Sequence, residues 1–242
     1  MLVFWPDVQK RTVGENWGYP KTHGGSWMTE HSHSGGLWPV LHAKVMNGLK
    51  RTFGLHLFRV QIGHHQDSET PLLPPGFEMH ILTPAEVRSH VNVPHLDFRD
   101  ASVNQALARG DVCIGAFKDD RLVAYTWRAL KGPVPHTGGW EVIWNPGLMY
   151  RYKAYTSPAY RGLHIHDALS KAIDQHLGEL GHTKGLSFVE THKFSSIRTL
   201  ARKTRRHIGY AGYVQRFGLF VPFRTAGCRQ VGFAFRRPER PV

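Results

Sequence analysis

The sequence has 242 residues, of which 41% are apolar and 12% are aromatic. A chain of this length and composition can bury a substantial core, which excludes general disorder. No stretch comes near the roughly 20 consecutive apolar residues that cross a bilayer, and the first residues lack the basic start and apolar run of a signal peptide. These features predict a cytoplasmic protein.

The net charge is +13, and it is unevenly distributed. Twelve lysines and arginines but one acid, Glu239, lie between residues 193 and 242. This excess favours an anionic partner, which could be coenzyme A, an acidic acyl carrier protein, a nucleic acid or a membrane surface. The alternative is a solvated basic face. The two cysteines, Cys113 and Cys228, lie far apart in segments predicted as strands, and we expect buried free thiols.

The first part of the chain is predicted to stand outside the main domain. Residues 1–36 contain paired glycines and the run His31-Ser32-His33-Ser34 but no apolar period, which predicts a disordered tail without a metal site. Residues 37–76 are predicted to be an extension. It comprises a short basic helix at 39–53, then a strand, and a proline-rich linker at 64–76.

The main domain is predicted to span residues 77–242. Residues 77–81 alternate as in a half-buried strand, and Thr83-Pro84-Ala85-Glu86 has the pattern of a capping box with proline at the first helical position. A second helix is predicted to end at Gly110. Further strands are predicted at 112–117, 122–127, 148–155, 186–191, 207–217 and 229–235, and a basic helix at 195–204.

One junction between a strand and a helix has the strongest functional signal. The turn Pro158-Ala159-Tyr160-Arg161-Gly162 precedes an amphipathic helix whose apolar residues, from Ile165 to Leu180, recur at helical spacing. Unpaired N–H groups and the positive end of the dipole at a helix N-terminus bind phosphate oxygens. Arg161 adds a guanidinium that can hold a phosphate through two hydrogen bonds. The junction therefore predicts an anion site.

The order of the predicted elements and this turn resemble the GCN5-related N-acetyltransferase (GNAT) superfamily, with the chain as a divergent member. The resemblance covers roughly residues 77–235. It implies an α/β (α+β) fold with a mixed, mostly antiparallel central sheet that is flanked by helices and splayed at its central strands. In this superfamily the amides of a Q/R-x-x-G-x-G/A turn hold the coenzyme A pyrophosphate; here the turn reads Arg161-Gly162-Leu163-His164-Ile165-His166.

Three positions depart from the superfamily pattern. His164 and His166 stand where the pattern has glycine or alanine. A side chain at His164 could crowd the pyrophosphate or require a strained backbone, or it could add a hydrogen-bond donor to the phosphate. In the turn after the next strand, Lys193 stands where many relatives have asparagine.

The resemblance also implies which residues bind the donor. The implied co-substrate is acetyl-CoA or another acyl-CoA, and no metal is implied. Free backbone groups of the central strand would pair with the pantetheine arm and polarise the thioester carbonyl. The donor-binding residues implied in this way are Lys153, Ala154, Tyr155, Thr156, Arg161, Gly162, Leu163, His164, Ile165, His166, Lys193 and Ser196.

The implied reaction is direct attack of an acceptor amine on the thioester in a ternary complex, which needs a general base. Glu190, at the end of a strand that would face the cleft, is the first candidate, and a surface or capping carboxylate is the alternative. His192 is the second, because the ordinary pKa of histidine is about 6.5. Tyr152 could line the acceptor pocket or pack in the core. No residue is assigned as the general acid, for which Tyr210 is one alternative.

Three functions stay open at this point. The first is N-acyl transfer from acyl-CoA to a small amine or amino acid. The second is N-acylation of an amino acid with an acyl carrier protein as donor, which the basic C-terminal third would suit. The third is a non-catalytic protein of the same fold that binds anions or nucleic acid. Nucleic acid is not favoured, since the basic residues lack the ordered aromatic interleaving of a recognised motif.

Overall fold

The computed structural model describes residues 37–64, 72–96, 98–136, 139–194, 196–197 and 205–238. The tail predicted at residues 1–36 lies outside this range, as does most of the basic helix predicted at 195–204. Within the described part of the chain, no helix combines the length and the apolar character that a membrane span requires.

Strands outnumber helices in the described chain. In order they are α1 Leu37–Phe53, β1 Leu55–His64, β2 Glu78–Ile81, α2 Pro84–Ser89, α3 Asp100–Arg109, β3 Val112–Lys118, β4 Arg121–Ala129, β5 Val134–His136, β6 Trp140–Ile143, β7 Met149–Thr156, α4 Ile165–Glu179, β8 Lys184–Glu190, β9 Arg205–Arg216, β10 Leu219–Arg224, α5 Ala226–Gln230 and β11 Ala234–Arg236. A short 3-10 turn, Pro158–Tyr160, lies between β7 and α4.

Eight strands form one large sheet in the order β10-β9-β1-β8-β7-β4-β3-β2. The described strand pairs of this sheet are antiparallel except β7 and β8, which run parallel. Three shorter strands form a second sheet in the order β11-β6-β5. The predicted fold class, a mixed and mostly antiparallel sheet flanked by helices, is confirmed.

Strand β1 lies inside the large sheet. It pairs with β8 on one side and β9 on the other, so that Phe58 stands opposite both Glu190 and Ala211. Because both of its edges are paired, β1 is an interior strand of the sheet. Its residue Val60 is completely buried. Strand β1, which belongs to the extension predicted at residues 37–76, thus lies in the same sheet as strands of the predicted main domain.

Helices cover both faces of the sheet. Helix α4 packs through Ile165, Leu169 and Ile173 on β3, β4 and β7. Apolar residues of α2 and α3, such as Val87 and Val103, pack in another cluster with Tyr125 and Trp127 of β4. The small sheet covers β1, β8 and β9. Its contact with them is built from Phe58, Val60, Ala211, Tyr213, Val134, Val142 and Phe235.

A buried ionic cluster fixes α4 against the sheet. Asp174 of α4 accepts hydrogen bonds from Nε of Arg128 at 2.7 Å and Nε of Arg151 at 3.1 Å. Burial raises the pKa of Asp174, but the two guanidinium groups outweigh it and leave this pKa below its ordinary value. Since Arg128 belongs to β4 and Arg151 to β7, the cluster sets the position of α4 and of the turn before it.

The C-terminal segment differs from the prediction. Residues 229–235 were expected to be one strand, because Val231, Phe233 and Phe235 alternate. The structure instead has the end of α5, then Gly232 with φ of 66°, and a strand only from Ala234. Glycine at that positive φ turns the chain and breaks the alternation. Cys228 consequently lies in a helix, although both cysteines are buried and free, as predicted.

Candidate active site

The two central strands separate after a short paired stretch. β7 and β8 pair only at Met149 with Gly185 and at Tyr150 with Leu186, although both strands continue further. The other edge of β7 carries a bulge, because Thr126 of β4 opposes Ala154 while Trp127 opposes Tyr152. Lys153 is the extra residue and has φ of 46°. The two strands have no described ladder pair beyond Tyr150, as the predicted splay requires.

A cavity of about 520 Å³ adjoins this separation. It lies between the end of β8 and residues of α1, β1, β5, β7 and β9. It is lined by Lys50, His56, Phe58, His136, Ala154, Phe188, Val189, Glu190, Lys193, Ser196 and Tyr213. Four residues predicted from the sequence, Ala154, Glu190, Lys193 and Ser196, are therefore brought together here.

Glu190 lies in the cavity wall between two lysines. Its carboxylate is 3.0 Å from Nζ of Lys50 and 2.8 Å from Nζ of Lys193, and its other contact is Nε2 of His192 at 3.7 Å. Burial raises the pKa of Glu190, but hydrogen bonds and positive charge from Lys193 and Lys50 prevail and hold this pKa at about 2. The carboxylate is therefore ionised at neutral pH, with both oxygens engaged.

Two cavity residues that the sequence analysis missed form a stacked pair. His56 of β1 stands opposite Tyr213 of β9, and their ring centroids are 4.6 Å apart. Burial, aided by the charge of Lys50, lowers the pKa of His56, while Glu190 acts in the opposite direction. Burial and the charge of Glu190 raise the pKa of Tyr213 to about 12. At neutral pH the imidazole is thus a free base and the phenol keeps its proton.

A further histidine, His136 of β5, forms the cavity wall on the side of the small sheet. Its ring lies against Phe58, Phe188 and Phe235, with centroid distances of 5.7, 5.4 and 5.6 Å. Burial among these rings lowers its pKa to about 4. His136 is therefore neutral over the physiological range and contributes an uncharged, polar edge to an aromatic wall.

Neither His192 nor Tyr152 belongs to the cavity lining. His192 lies beside Glu190 at the end of β8, and burial is the main cause of its lowered pKa. The Tyr152 hydroxyl donates to Oδ2 of Asp111 at 2.5 Å, and Arg109 donates to the same oxygen. Burial and the Asp111 carboxylate raise the pKa of Tyr152. The Tyr152 hydroxyl is therefore engaged in a partly buried polar contact.

The predicted phosphate turn lies at the surface before α4. Residues 161–164 are exposed, and Nε of Arg161 donates to the carbonyl of Thr156 at 3.3 Å. His164 is left-handed, with φ of 57°, and its Nδ1 lies 3.3 Å from the Asp167 carboxylate. Of the three expected effects of this histidine, the strained backbone is observed. Its side chain stays away from Gly162, where no atom would lie within 4 Å of an added Cβ.

The remaining donor-binding candidates lie on β7, in the turn that follows it and in the first turn of α4. Tyr155 stacks on Tyr125, with centroids 5.7 Å apart, and Lys153 donates to Oγ of Ser102 at 3.4 Å. Both side chains are thus engaged in the fold, and only their backbone could contact a donor. Thr156 ends β7 opposite Ala124. Leu163 is exposed in the turn. Ile165 and His166 lie in the first turn of α4, where Ile165 is buried and His166 lies beside Ser170.

A weak sequence signal existed for the missed residues. His56 continues the alternation of Phe58, Val60 and Ile62, so it had to share their face of β1. Tyr213 alternates in the same way with Ala211. Neither pattern shows that the two strands are neighbours. For metals, the described residues contain no group of three or more histidine, cysteine or acidic side chains placed to hold an ion.

Comparisons by sequence give no relatives. No protein-family model matches the chain, and curated proteins give no match. Solved structures do show a likeness of fold. A GCN5-related N-acetyltransferase from Sphaerobacter thermophilus is 12% identical with a TM-score of 0.49, over 75% of this chain and 55% of that one.

Two further structures of the same kind are similar to this chain. A tandem GNAT protein from the clavulanic acid biosynthesis pathway is 15% identical with a TM-score of 0.45, over 83% of this chain and 57% of that one. A GCN5-related N-acetyltransferase from Kribbella flavida is 12% identical with a TM-score of 0.41, over 70% and 72% of the two chains. The chain thus spans less than two thirds of the length of the first two structures.

Proposed function

We propose that this protein transfers an acyl group from acyl-CoA to the amine of a small molecule or amino acid. The observation that carries the proposal is the separation of β7 and β8 beside a cavity of about 520 Å³. An unpaired strand edge offers backbone N–H and C=O groups to an extended chain such as pantetheine. The bulge at Lys153 re-aims these groups, which suits a reacting carbonyl held at that point.

The turn before α4 supports binding of the donor's pyrophosphate. The turn leads into the N-terminus of α4, where the helix dipole favours negative charge. Gly162 is exposed and uncrowded, and Arg161 lies beside it with its guanidinium near the end of β7. Since His164 is held near Asp167 and not over Gly162, the histidine in place of glycine is compatible with this role.

We assign the proton transfers to His56 and Tyr213. The acceptor nitrogen attacks the thioester carbon and gives a proton to the neutral imidazole of His56. The carbon–sulfur bond breaks, the sulfur keeps the electron pair, and the Tyr213 hydroxyl supplies its proton. His56 then returns its proton to the Tyr213 phenolate through water, which restores both groups. No covalent acyl-enzyme is formed in this sequence.

Glu190 has a positioning role in this proposal. A carboxylate with a pKa of about 2 takes up a proton poorly at neutral pH, so the base function first considered for Glu190 is better met by His56. Glu190 instead holds Lys50 and Lys193 at the cavity wall. Its negative charge also raises the pKa of His56 and thereby makes that imidazole a stronger base.

The charge of the cavity favours an acceptor with a carboxylate. Two lysines face one glutamate, which leaves an excess of positive charge. His56 and His136 do not change this balance at neutral pH, because their pKa values are lowered and both are uncharged. A polycationic amine would be repelled, whereas an amino acid could place its carboxylate on Lys50 or Lys193. Phe58 and Phe188 offer apolar contact to its side chain.

Two measurements test the proposal. Calorimetric titration with acetyl-CoA should show saturable one-site binding, which Arg161→Ala should weaken about tenfold through loss of a charge-assisted hydrogen bond. Arg88→Ala, an exposed arginine on α2, is the matched control and should bind normally. Release of free thiol should then be faster with phenylalanine than with phenethylamine, which lacks the carboxylate.

Either measurement can contradict the proposal. Failure to bind acetyl-CoA would remove acyl-CoA as donor and direct the search to acyl carrier proteins. Binding with equal affinity in Arg161→Ala would remove the phosphate site. Saturable binding without thiol release in the presence of any amine would leave a non-catalytic protein of this fold.

A further inference from the structure

The hairpin of β9 and β10 carries large apolar side chains in solvent. Phe217 and Gly218 form its two-residue turn, with positive φ of 49° and 77°, as in a type I′ turn. Phe217 is 90% exposed, Leu219 68%, Val221 57% and Phe223 38%. These four residues, which we call the apolar ridge, fall within seven consecutive positions. Monomeric proteins rarely leave such a contiguous patch in water without use for it.

The apolar ridge lies on one face of the hairpin. Leu219, Val221 and Phe223 alternate along β10 and therefore point to the same side of the sheet. The intervening Phe220 points the other way and stacks on Trp140 of the small sheet, with centroids 3.7 Å apart. One face of β10 is thus part of the core, and the other presents the ridge outward.

The free edge of β10 is unsuited to addition of another strand. In a type I′ hairpin Arg216 and Leu219 form a hydrogen-bonded pair, so alternation makes Pro222 and Tyr213 a non-hydrogen-bonded pair. The backbone nitrogen of Pro222 therefore faces outward, where it has no hydrogen to donate. A proline at this place blocks continuation of the sheet. Whatever covers the ridge must contact its side chains.

The surroundings of the ridge are cationic. Arg237 donates to the carbonyl of Gly218 in the hairpin turn at 2.7 Å. Arg216 stands opposite Leu219 and lies 4.9 Å from the ring centroid of Phe217. It also donates to the carbonyl of Arg51 at 3.1 Å and to that of Thr52, which joins the C-terminus of α1 to the hairpin. This end of α1 adds exposed Arg51 and Phe53.

We propose that the apolar ridge binds the surface of an anionic lipid membrane. Aromatic and aliphatic side chains insert at the boundary of headgroups and acyl chains, and nearby arginines bind the lipid phosphates. The shape favours lipid over an acidic protein, because Phe217 stands at a protruding tip. A deformable lipid layer admits such a tip, whereas a protein would need a matching hole. The lipid surface would then lie next to α1, which also supplies Lys50 to the cavity.

Vesicle flotation with the full chain tests this proposal. At low salt the protein should float with vesicles of phosphatidylcholine and phosphatidylglycerol in equal parts, and not with phosphatidylcholine alone. The double variant Phe217→Ser, Leu219→Ser should bind the anionic vesicles about tenfold or more weakly, because two large apolar side chains that would be buried in the membrane are removed. Leu180→Ser is the matched control, because Leu180 is 61% exposed at the end of α4 and should be irrelevant to binding.

Three results would overturn the inference. The first is that the unchanged protein stays with the aqueous phase in the presence of anionic vesicles. The second is that the double variant and Leu180→Ser float equally well. The third is that light scattering shows a dimer which the double variant converts to a monomer, because a second copy would then cover the ridge. Circular dichroism of all variants should show an unchanged fold, as the replaced side chains are exposed.

Discussion

At the scale of single residues, the cavity owes its chemistry to the charges that surround two aromatic side chains. His56 and Tyr213 are neighbours across β1 and β9, and Glu190 affects both of their pKa values. A weak acid and a weak base are thereby kept in contact in their neutral forms. Such pairs, whose environments separate their proton affinities, are typical of acid–base sites.

Replacing His56 tests the assignment of the base. His56→Gln should lower kcat by about a hundredfold or more, within the range for loss of a general base, and leave the Kd for acetyl-CoA unchanged. The acidic limb of kcat/KM in the unchanged protein should lie below pH 6.5, because burial lowers the pKa of His56. His64→Gln, at the exposed end of the same strand, is the control. Normal turnover in His56→Gln would rule out this base.

Replacing Glu190 should change how stability depends on pH. The folded-state pKa of about 2 lies below the ordinary value of 4.5, so Glu190 stabilises the fold above pH 4.5 and loses this contribution as pH falls toward 2. Glu190→Gln should therefore be less stable at neutral pH and converge with the unchanged protein in acid. Chemical denaturation from pH 7 down to pH 2 measures this. Parallel curves for the two proteins would contradict the ion pairs with Lys50 and Lys193.

At the scale of secondary-structure elements, the junction of β7 and α4 depends on an unfavourable residue. His164 adopts a left-handed conformation that glycine tolerates far better, and its side chain makes only an exposed contact with Asp167. The junction is nevertheless held in place, because Asp174 binds Arg128 and Arg151 further along α4. A fixed helix can therefore impose the turn on a residue that disfavours it.

Two glycine replacements test the difference in backbone conformation between the turn and the helix. His164→Gly should leave the free energy of unfolding unchanged or raise it by up to about 1 kcal/mol, since glycine removes the left-handed strain. His166→Gly, in the right-handed first turn of α4, should lower it by about 1 kcal/mol. Urea denaturation of both variants measures the difference. Equal destabilisation by the two changes would contradict the left-handed conformation of His164.

At the scale of the whole molecule, β1 joins the two parts of the sheet. It pairs with β8 at the separation and with β9 beyond it, and it carries His56 and Phe58 into the cavity. Without β1, both neighbouring strands would have open edges and the small sheet would lose part of the surface that it covers. The segment that precedes the predicted main domain is therefore needed for the fold and for the site.

A chain that starts at Phe77 should consequently fail to fold. We expect it to lack a cooperative thermal transition by circular dichroism, in contrast to the full chain. Co-expression with a separate segment of residues 37–64 should restore a soluble complex, because β1 can pair from both sides without a covalent link. A truncated chain that melts cooperatively by itself would contradict the central position of β1.

Local patterns in the sequence determined the individual elements well. The capping box is present, with Thr83 and Glu86 bonded to each other's backbone. Helix α4 buries most of the apolar residues that its period marked, although Leu180 at its end is exposed. These signals succeed because a helix and its cap are built from residues within four positions of one another. The resemblance also located Glu190, Lys193, Ala154 and Ser196, which meet at one cavity.

Only the tertiary structure decided which elements are neighbours. His56, His136 and Tyr213 lie on three strands far apart in the chain, and no periodicity shows that these strands face one cavity. The same holds for β1, whose alternation predicted a strand but not its place between β8 and β9. Strand pairing and the pKa values of buried groups depend on contacts that are remote in sequence, so they exist only once the chain has folded.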